Sequence, residues 1–313
     1  MNWFIWLLLV LGIAFAGIYT LFPARLVALV IGMLRRWGRM SAKSVVVDGV
    51  SWPYLEGGPP DGEVIVLIHG FGGDKNNWPL YARYFTKRYH VIAPDLPGFG
   101  ENVRNPEWHY GGAAQTERLH AFLMELGFDD IHLAGNSMGG FIALHYALTH
   151  PGRLRSLTLI DAAGVTSTHK SELELAIDEG KNLLVATSLD DFDRLMNFVM
   201  HKRIPSPRFM MQAMLKVQIQ NREFLDGIFW TITDEALHDP LTKRLGEVST
   251  PTLILWGRHD RVIDVSCADV MAAGIPDNKL VILEDVGHVP MIESPRETAR
   301  HHIRLIEDRG NQT

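Results

Sequence analysis

The segment "HLAGNSMGGFIAL", residues 132–144, sets one hydroxyl, Ser137, between Asn136 and Met138, with Gly135 before it and Gly139 and Gly140 after it. A serine at the head of an apolar helix is ordinarily a cap. The G-x-S-x-G spacing points to a second use. Glycines at 135 and 139 leave room for a sharp strand-to-helix turn that thrusts the hydroxyl out at the carboxyl edge of a sheet. The same turn aims the amide of Met138 at that edge, where the helix dipole favours a developing oxyanion. The chemistry this would serve is attack of an activated hydroxyl on a carbonyl.

Such a nucleophile needs a base to take its proton and an acid to orient the base. "TPTLILWGRHDRVID" places Asp260 just beyond a strand, and "LVILEDVGHVPMIESP" places His288 beyond the next, so acid and histidine follow the serine in the order this kind of sheet requires. Asp264 lies further into its loop, and Asp161, ending "LTLIDAAG", is the fallback acid. His259 reads as a polar loop residue, and His301 and His302 as solvated positions of a late helix without metal-ligand spacing. A second oxyanion donor is expected from the loop after an early strand. In "EVIVLIHGFGGDKNNW" the amide of Phe71 takes that role, with His69 fixing the loop by hydrogen bonds. The glycines there do not form a phosphate loop, because the K-[ST] of that motif is missing. Neither a metal nor an organic cofactor is called for by this set of residues.

These side chains must be held by a sheet. "SVVVDG", "EVIVLIHG", "HVIAPDL", "IHLAGNS", "LRSLTLIDA", "TPTLILWG" and "KLVILEDV" read as short strands, several apolar throughout as in a sheet buried on both faces. Helical periodicity falls between them, over Leu80–Arg88, Thr116–Leu126, Gly139–Leu148 and Glu297–Ile306. The fold class is therefore α/β, a mostly parallel sheet flanked by helices. Residues 165–246 break the alternation with amphipathic pieces and no strand, and read as an inserted helical cap. Its methionines, Met196, Met200, Met210, Met211 and Met214, either line an adaptable apolar pocket or simply pack the insertion on the body. The domain plan is thus 1–40 as an anchor and basic interfacial segment, 41–164 and 247–313 as two parts of the core, and 165–246 as the cap.

Composition bounds what this body can meet. With 313 residues, 47% of them hydrophobic and 21% charged, the chain has ample apolar material for a core. Residues 1–50 carry five basic side chains and one acidic, or +4; the total of −6 leaves −10 for the rest. An acidic body without a basic stripe argues against nucleic acid as a partner. The single cysteine, Cys267, cannot form an intramolecular disulfide or a multi-cysteine zinc site and reads as a buried apolar residue.

From Trp3 to Phe22 no charge appears over twenty residues, enough to span a bilayer as a helix. The run Leu26–Leu34 is too short to span and leads into "RRWGRM", an interfacial pattern. Ala14-Phe15-Ala16 resembles a signal-peptide cleavage site, but no basic residue precedes the apolar run, so a retained anchor is the expectation. The arginines after it would keep the body cytoplasmic.

In this order, "HGFGG", "DLPGFG" (Asp95 to Gly100), "GNSMGG", "WGRHD" and "GHVPMIESP" resemble the α/β-hydrolase superfamily over nearly all of residues 60–308. The N-terminal span with its basic flank, the "HGF" loop, the "SMGG" elbow and the run from Trp256 to His288 are most similar to membrane-anchored monoacylglycerol lipases of the ABHD type and their bacterial relatives. The resemblance implies an eight-stranded hydrolase sheet, Ser137 as nucleophile with His288 and Asp260, the amides of Phe71 and Met138 as oxyanion hole, and a cap over an acyl pocket. Val289, next to the histidine, joins the cap methionines as an expected substrate contact, and a lipid ester is the expected substrate. Asn136 before the serine also resembles the carbon-carbon bond hydrolases of vinylogous diketones. Those usually carry tryptophan where this chain has Val289. Serine at 137 excludes the dehalogenases and epoxide hydrolases of the same fold, which need aspartate there. A catalytically silent scaffold would lack a triad member, and none is missing.

Overall fold

The computed structural model describes Trp3, Trp6, residues 23–238 and residues 240–310. The expected span Trp3–Phe22 lies outside the described residues except for its two tryptophans. No described helix is long and apolar enough to cross a membrane.

Eight strands form one sheet: β1 (Met40–Val47), β2 (Val50–Gly57), β3 (Val64–Ile68), β4 (His90–Pro94), β5 (Ile131–Asn136), β6 (Leu154–Ile160), β7 (Thr252–Gly257) and β8 (Asn278–Leu283), in the order β1-β2-β4-β3-β5-β6-β7-β8. The β1–β2 and β2–β4 pairs are antiparallel and the rest parallel. Seven of the eight coincide with the runs expected from sequence; β2 does not. Its "VSWPYLEG" carries Pro53 mid-strand, which breaks the strand signature, yet the residue is tolerated opposite Ser44 while its carbonyl accepts the amide of Asp95.

The longer described helices are α1 (Pro23–Gly38), α2 (Gly112–Glu125), α3 (Met138–Thr149), α4 (Glu172–Asp178), α5 (Leu189–Val199), α6 (Arg208–Gln220), α7 (Arg222–His238), α8 (Ser266–Gly274) and α9 (Pro295–Gly310). The period of two places Val66 and Ile68 of β3 in one apolar layer with Phe122 and Phe141, and Ile65 and Leu67 in the other with Trp78 and Leu305. Burial on both faces explains why these strands read as unbroken apolar runs. Between β6 and β7 the chain passes through α4 to α7 without a strand.

Two expectations are corrected. Leu80–Arg88 is not a continuous helix: one helical turn, Pro79–Ala82, gives way to turns that mix i→i+3 and i→i+4 bonds, because Tyr81 and Phe85 reach the core from turns as well as from a helix. His302 is not solvated. It is fully buried, its Nδ1 paired with the Tyr81 hydroxyl at 2.8 Å, because α9 turns this side chain under the sheet.

Candidate active site

The elbow is built by exclusion. Ser137 holds φ +56°, a backbone conformation few side chains accept, between the end of β5 and the first turn of α3. A Cβ at Gly135 would strike the carbonyl of Gly139, and one at Gly139 would strike the carbonyl of Ile68, so the glycines permit the close strand-helix approach. The turn is fastened at both ends. Ser137 N–H donates to Ile160 O at 3.0 Å, and Ser137 O accepts the amides of Phe141 and Ala163 at 3.0 and 3.1 Å.

Asn136 is also accounted for. Its Nδ2 donates to His288 O at 3.0 Å and Ile160 O at 3.2 Å, so it ties the elbow to the histidine loop. The residue that suggested carbon-carbon bond chemistry thus also has a local structural task.

Asp260 and His288 come together after β7 and β8. His288 Nδ1 lies 2.7 Å from Asp260 Oδ2, and the Asp260 Oδ1 accepts Val262 N–H at 2.8 Å and Ile263 N–H at 3.0 Å. An acceptor-only carboxylate places the imidazole proton on Nδ1 and leaves Nε2 free to accept. His288 N–H donates to Val199 O at 2.9 Å, so this histidine is also held from the end of α5. Glu293 completes this clamp. Its Oε1 accepts Gly287 N–H at 2.9 Å while Oε2 accepts the amides of His201 and Lys202, both at 2.8 Å. The sequence reading did not single out Glu293; its only signal was a carboxylate five residues after the histidine.

The loop after β3 is held as tightly. His69 Nε2 accepts Leu96 N–H at 3.0 Å and Nδ1 donates to Gly70 O at 2.8 Å, and burial holds the imidazole below its ordinary pKa and so neutral. Asp95, the first residue of "DLPGFG", accepts Lys75 N–H and Glu101 N–H, both at 2.8 Å, and forms a buried ion pair with the Lys75 ammonium. Removing either partner would strand a buried charge. Asn76, next to Lys75, accepts Arg35 Nε–H from α1 at 2.8 Å, linking that helix to the loop after β3.

Two cavities meet at Ser137, sharing Phe71 and Leu184 as walls. The first, about 690 Å³ of open space, is lined by Met138, Leu173, Phe229, Ile232 and Cys267. Cys267 is buried and its thiol pKa pushed far up by burial, so it acts as an apolar wall. The second, about 830 Å³, is lined by His288, Val289, Phe192, Met196, Met200 and Met214. Met210, one helical turn before Met214 on α6, lines neither, and Met211 packs against Phe192 and Leu215. Asp264 is absent from this group of walls, and His259 stacks on His201 at the cap edge.

A serine on a strained elbow, a buried histidine-carboxylate pair and a glycine loop at the carboxyl edge of a parallel sheet together define a hydrolase site. The chain belongs to the alpha/beta hydrolase family, matching it over residues 65–301. It is similar to Lipase 1 of Psychrobacter immobilis, 36% identical over 82% of this chain and 81% of that one. It is also similar to monoacylglycerol lipase abhd6-A of Xenopus laevis, 32% identical over 94% and 90%. The crystal structure of a membrane phospholipase A, described as a bacterial virulence factor, superposes with a TM-score of 0.90 at 40% identity, covering 99% of this chain and 100% of that one. A meta-cleavage product hydrolase of Pseudomonas fluorescens shares the fold alone, at 23% identity, TM-score 0.74 and coverage of 86% and 98%. The protein is a carboxylic ester hydrolase.

Proposed function

We propose that the protein cleaves acyl esters of amphiphilic lipids, monoacylglycerols first among them, through an acyl-enzyme on Ser137. The observation that carries the reading is the pair of apolar cavities joined at that serine. His288 lines only the second cavity, so the leaving alcohol that it protonates belongs there and the acyl chain in the first. In the first half-reaction His288 takes the Ser137 proton as the hydroxyl attacks. The amides of Phe71 and Met138 hold the oxyanion, and the alcohol departs with the proton from His288. Water then repeats the sequence on the acyl-enzyme. Residues 165–246 act as the cap, Met196, Met200, Met214 and Val289 contacting the alcohol half.

A diacyl phospholipid is a second reading, favoured by the mostly apolar lining of the second cavity, where Phe192, Met196, Met200 and Met214 could take a further acyl chain. The N-terminal segment, with Trp3–Phe22 as anchor and α1 at the interface, would hold the body to the cytoplasmic face of a membrane. Leu29, Met33 and Trp37 form an exposed row along α1, beside Arg25 and Arg36. The deciding experiment compares turnover of a monoacylglycerol, a diacyl phospholipid and a vinylogous diketone. Preference for either lipid ester supports this reading, and preference for the diketone reverses it.

A further inference from the structure

Behind the Asp260–His288 pair stands a second carboxyl group. Asp161 directly follows β6, is fully buried, and holds φ +45°, a left-handed conformation that aspartate and asparagine accept better than most side chains. Its Oδ1 accepts Gly257 N–H at 2.9 Å, while its Oδ2 is buried without a hydrogen-bond acceptor or donor accounted for. Oxygens of Asp161 and Asp260 and a ring nitrogen of His288 all lie within 4.8 Å of one another. Two buried carboxylates this close cannot both be ionised without a cation between them. Asp260 has three of its roughly four acceptor positions filled, by Val262 N–H, Ile263 N–H and His288 Nδ1, which leaves one for a donor.

We infer that Asp161 is carried protonated and donates its Oδ2–H to the Asp260 carboxylate, making it a positioning residue for the acid that orients His288. Burial, and then the charge of Asp260, raise its pKa well above the ordinary carboxylate range, in agreement with this assignment. The other charged group facing it is Glu293, which is committed to three backbone amides. Asp161 forms no bond to substrate. It satisfies the last acceptor site of Asp260 and thereby keeps the carboxylate from rotating away from the imidazole.

The inference rests on the Ser137–His288–Asp260 reading, and the two fail differently. Asp161→Asn keeps both the acceptor for Gly257 and a donor for Asp260, and asparagine tolerates the left-handed backbone. Its kcat/KM should stay within about twofold of wild type with the low-pH limb of the profile in place. Asp161→Gly suits φ +45° but removes the donor. Its kcat should fall about tenfold with KM nearly unchanged, and the low-pH limb should move to higher pH as Asp260 regains its full charge beside the imidazole. An Asp161→Asn limb displaced to lower pH would mean that a buried negative charge had been removed, and would overturn the inference. So would an Asp161→Gly enzyme with wild-type kcat and profile. Should the glycine variant not fold, the infrared difference between wild type and Asp161→Asn at neutral pH decides. The carbonyl stretch of a protonated carboxylic acid is expected, and its absence overturns the proposal. A fully active Ser137→Ala enzyme would instead defeat the triad reading and leave the infrared band of Asp161 intact.

Discussion

At the scale of single residues, Ser137 is the sharpest test. Ser137→Ala is expected to lower kcat on p-nitrophenyl esters by about four orders of magnitude with folding unchanged, and stopped-flow acylation with this substrate reads it directly. Retention of wild-type turnover would remove the nucleophile assignment. The candidate residues were legible because the chemistry limits the choice: a serine between glycines, then a carboxylate and a histidine past successive strands. Asn136, Asp161 and Glu293 were not legible in those roles. Each acts through contacts with chain that is distant in sequence, such as Asn136 Nδ2 with His288 O, and local spacing carries no trace of such contacts.

At the scale of elements, the site depends on loops clamped across the sheet edge. Glu293→Ala leaves the amides of Gly287, His201 and Lys202 without their acceptor, which costs about 1–3 kcal/mol for each amide that stays buried. The variant should melt several degrees lower, and kcat should drop about tenfold as the His288 loop and the end of α5 come apart. Thermal unfolding with parallel esterase assays checks both; an unchanged melting temperature would show the clamp to be unimportant. Strands were easier to read than their connections. β3, β4, β5 and β7 are buried on both faces over nearly their whole length and are marked by that pattern, whereas β2 is stabilised by its neighbours β1 and β4 despite Pro53. The Leu80–Arg88 periodicity misled because burial of Tyr81 and Phe85 rewards the spacing of apolar side chains without requiring continuous helical hydrogen bonds.

At the scale of the whole molecule, buried histidines contribute to acid stability, among them His132 and His302. Burial holds His132 down to about 4 and His302 down to about 3, against an ordinary 6.5. Both are neutral in the folded protein, whereas the unfolded chain binds their protons below pH 6.5. Their stabilising contribution is therefore whole above that pH and lost progressively as pH falls toward 4 and then 3, at about 1.4 kcal/mol per unit for each group. The melting temperature should fall between pH 6.5 and 4, and less steeply in His302→Gln; parallel curves would refute the attribution. Removing residues 1–22 should release the body from membranes with activity on soluble esters retained. A cut through residue 40 should also destabilise it, since Met40 is buried, Gly38 packs on Pro79, and Arg35 bonds Asn76. Fractionation and melting of the two truncations separate these outcomes.

The paired cavities have a consequence in time as well as in space. On the proposed mechanism the alcohol half of the substrate would be freed while the acyl half is still covalently held on Ser137, so the compartment beside His288 would empty first and admit the hydrolytic water. The order of departure is then alcohol before acid. A free fatty acid, the last to leave, would then compete with incoming substrate, whereas the released alcohol would not.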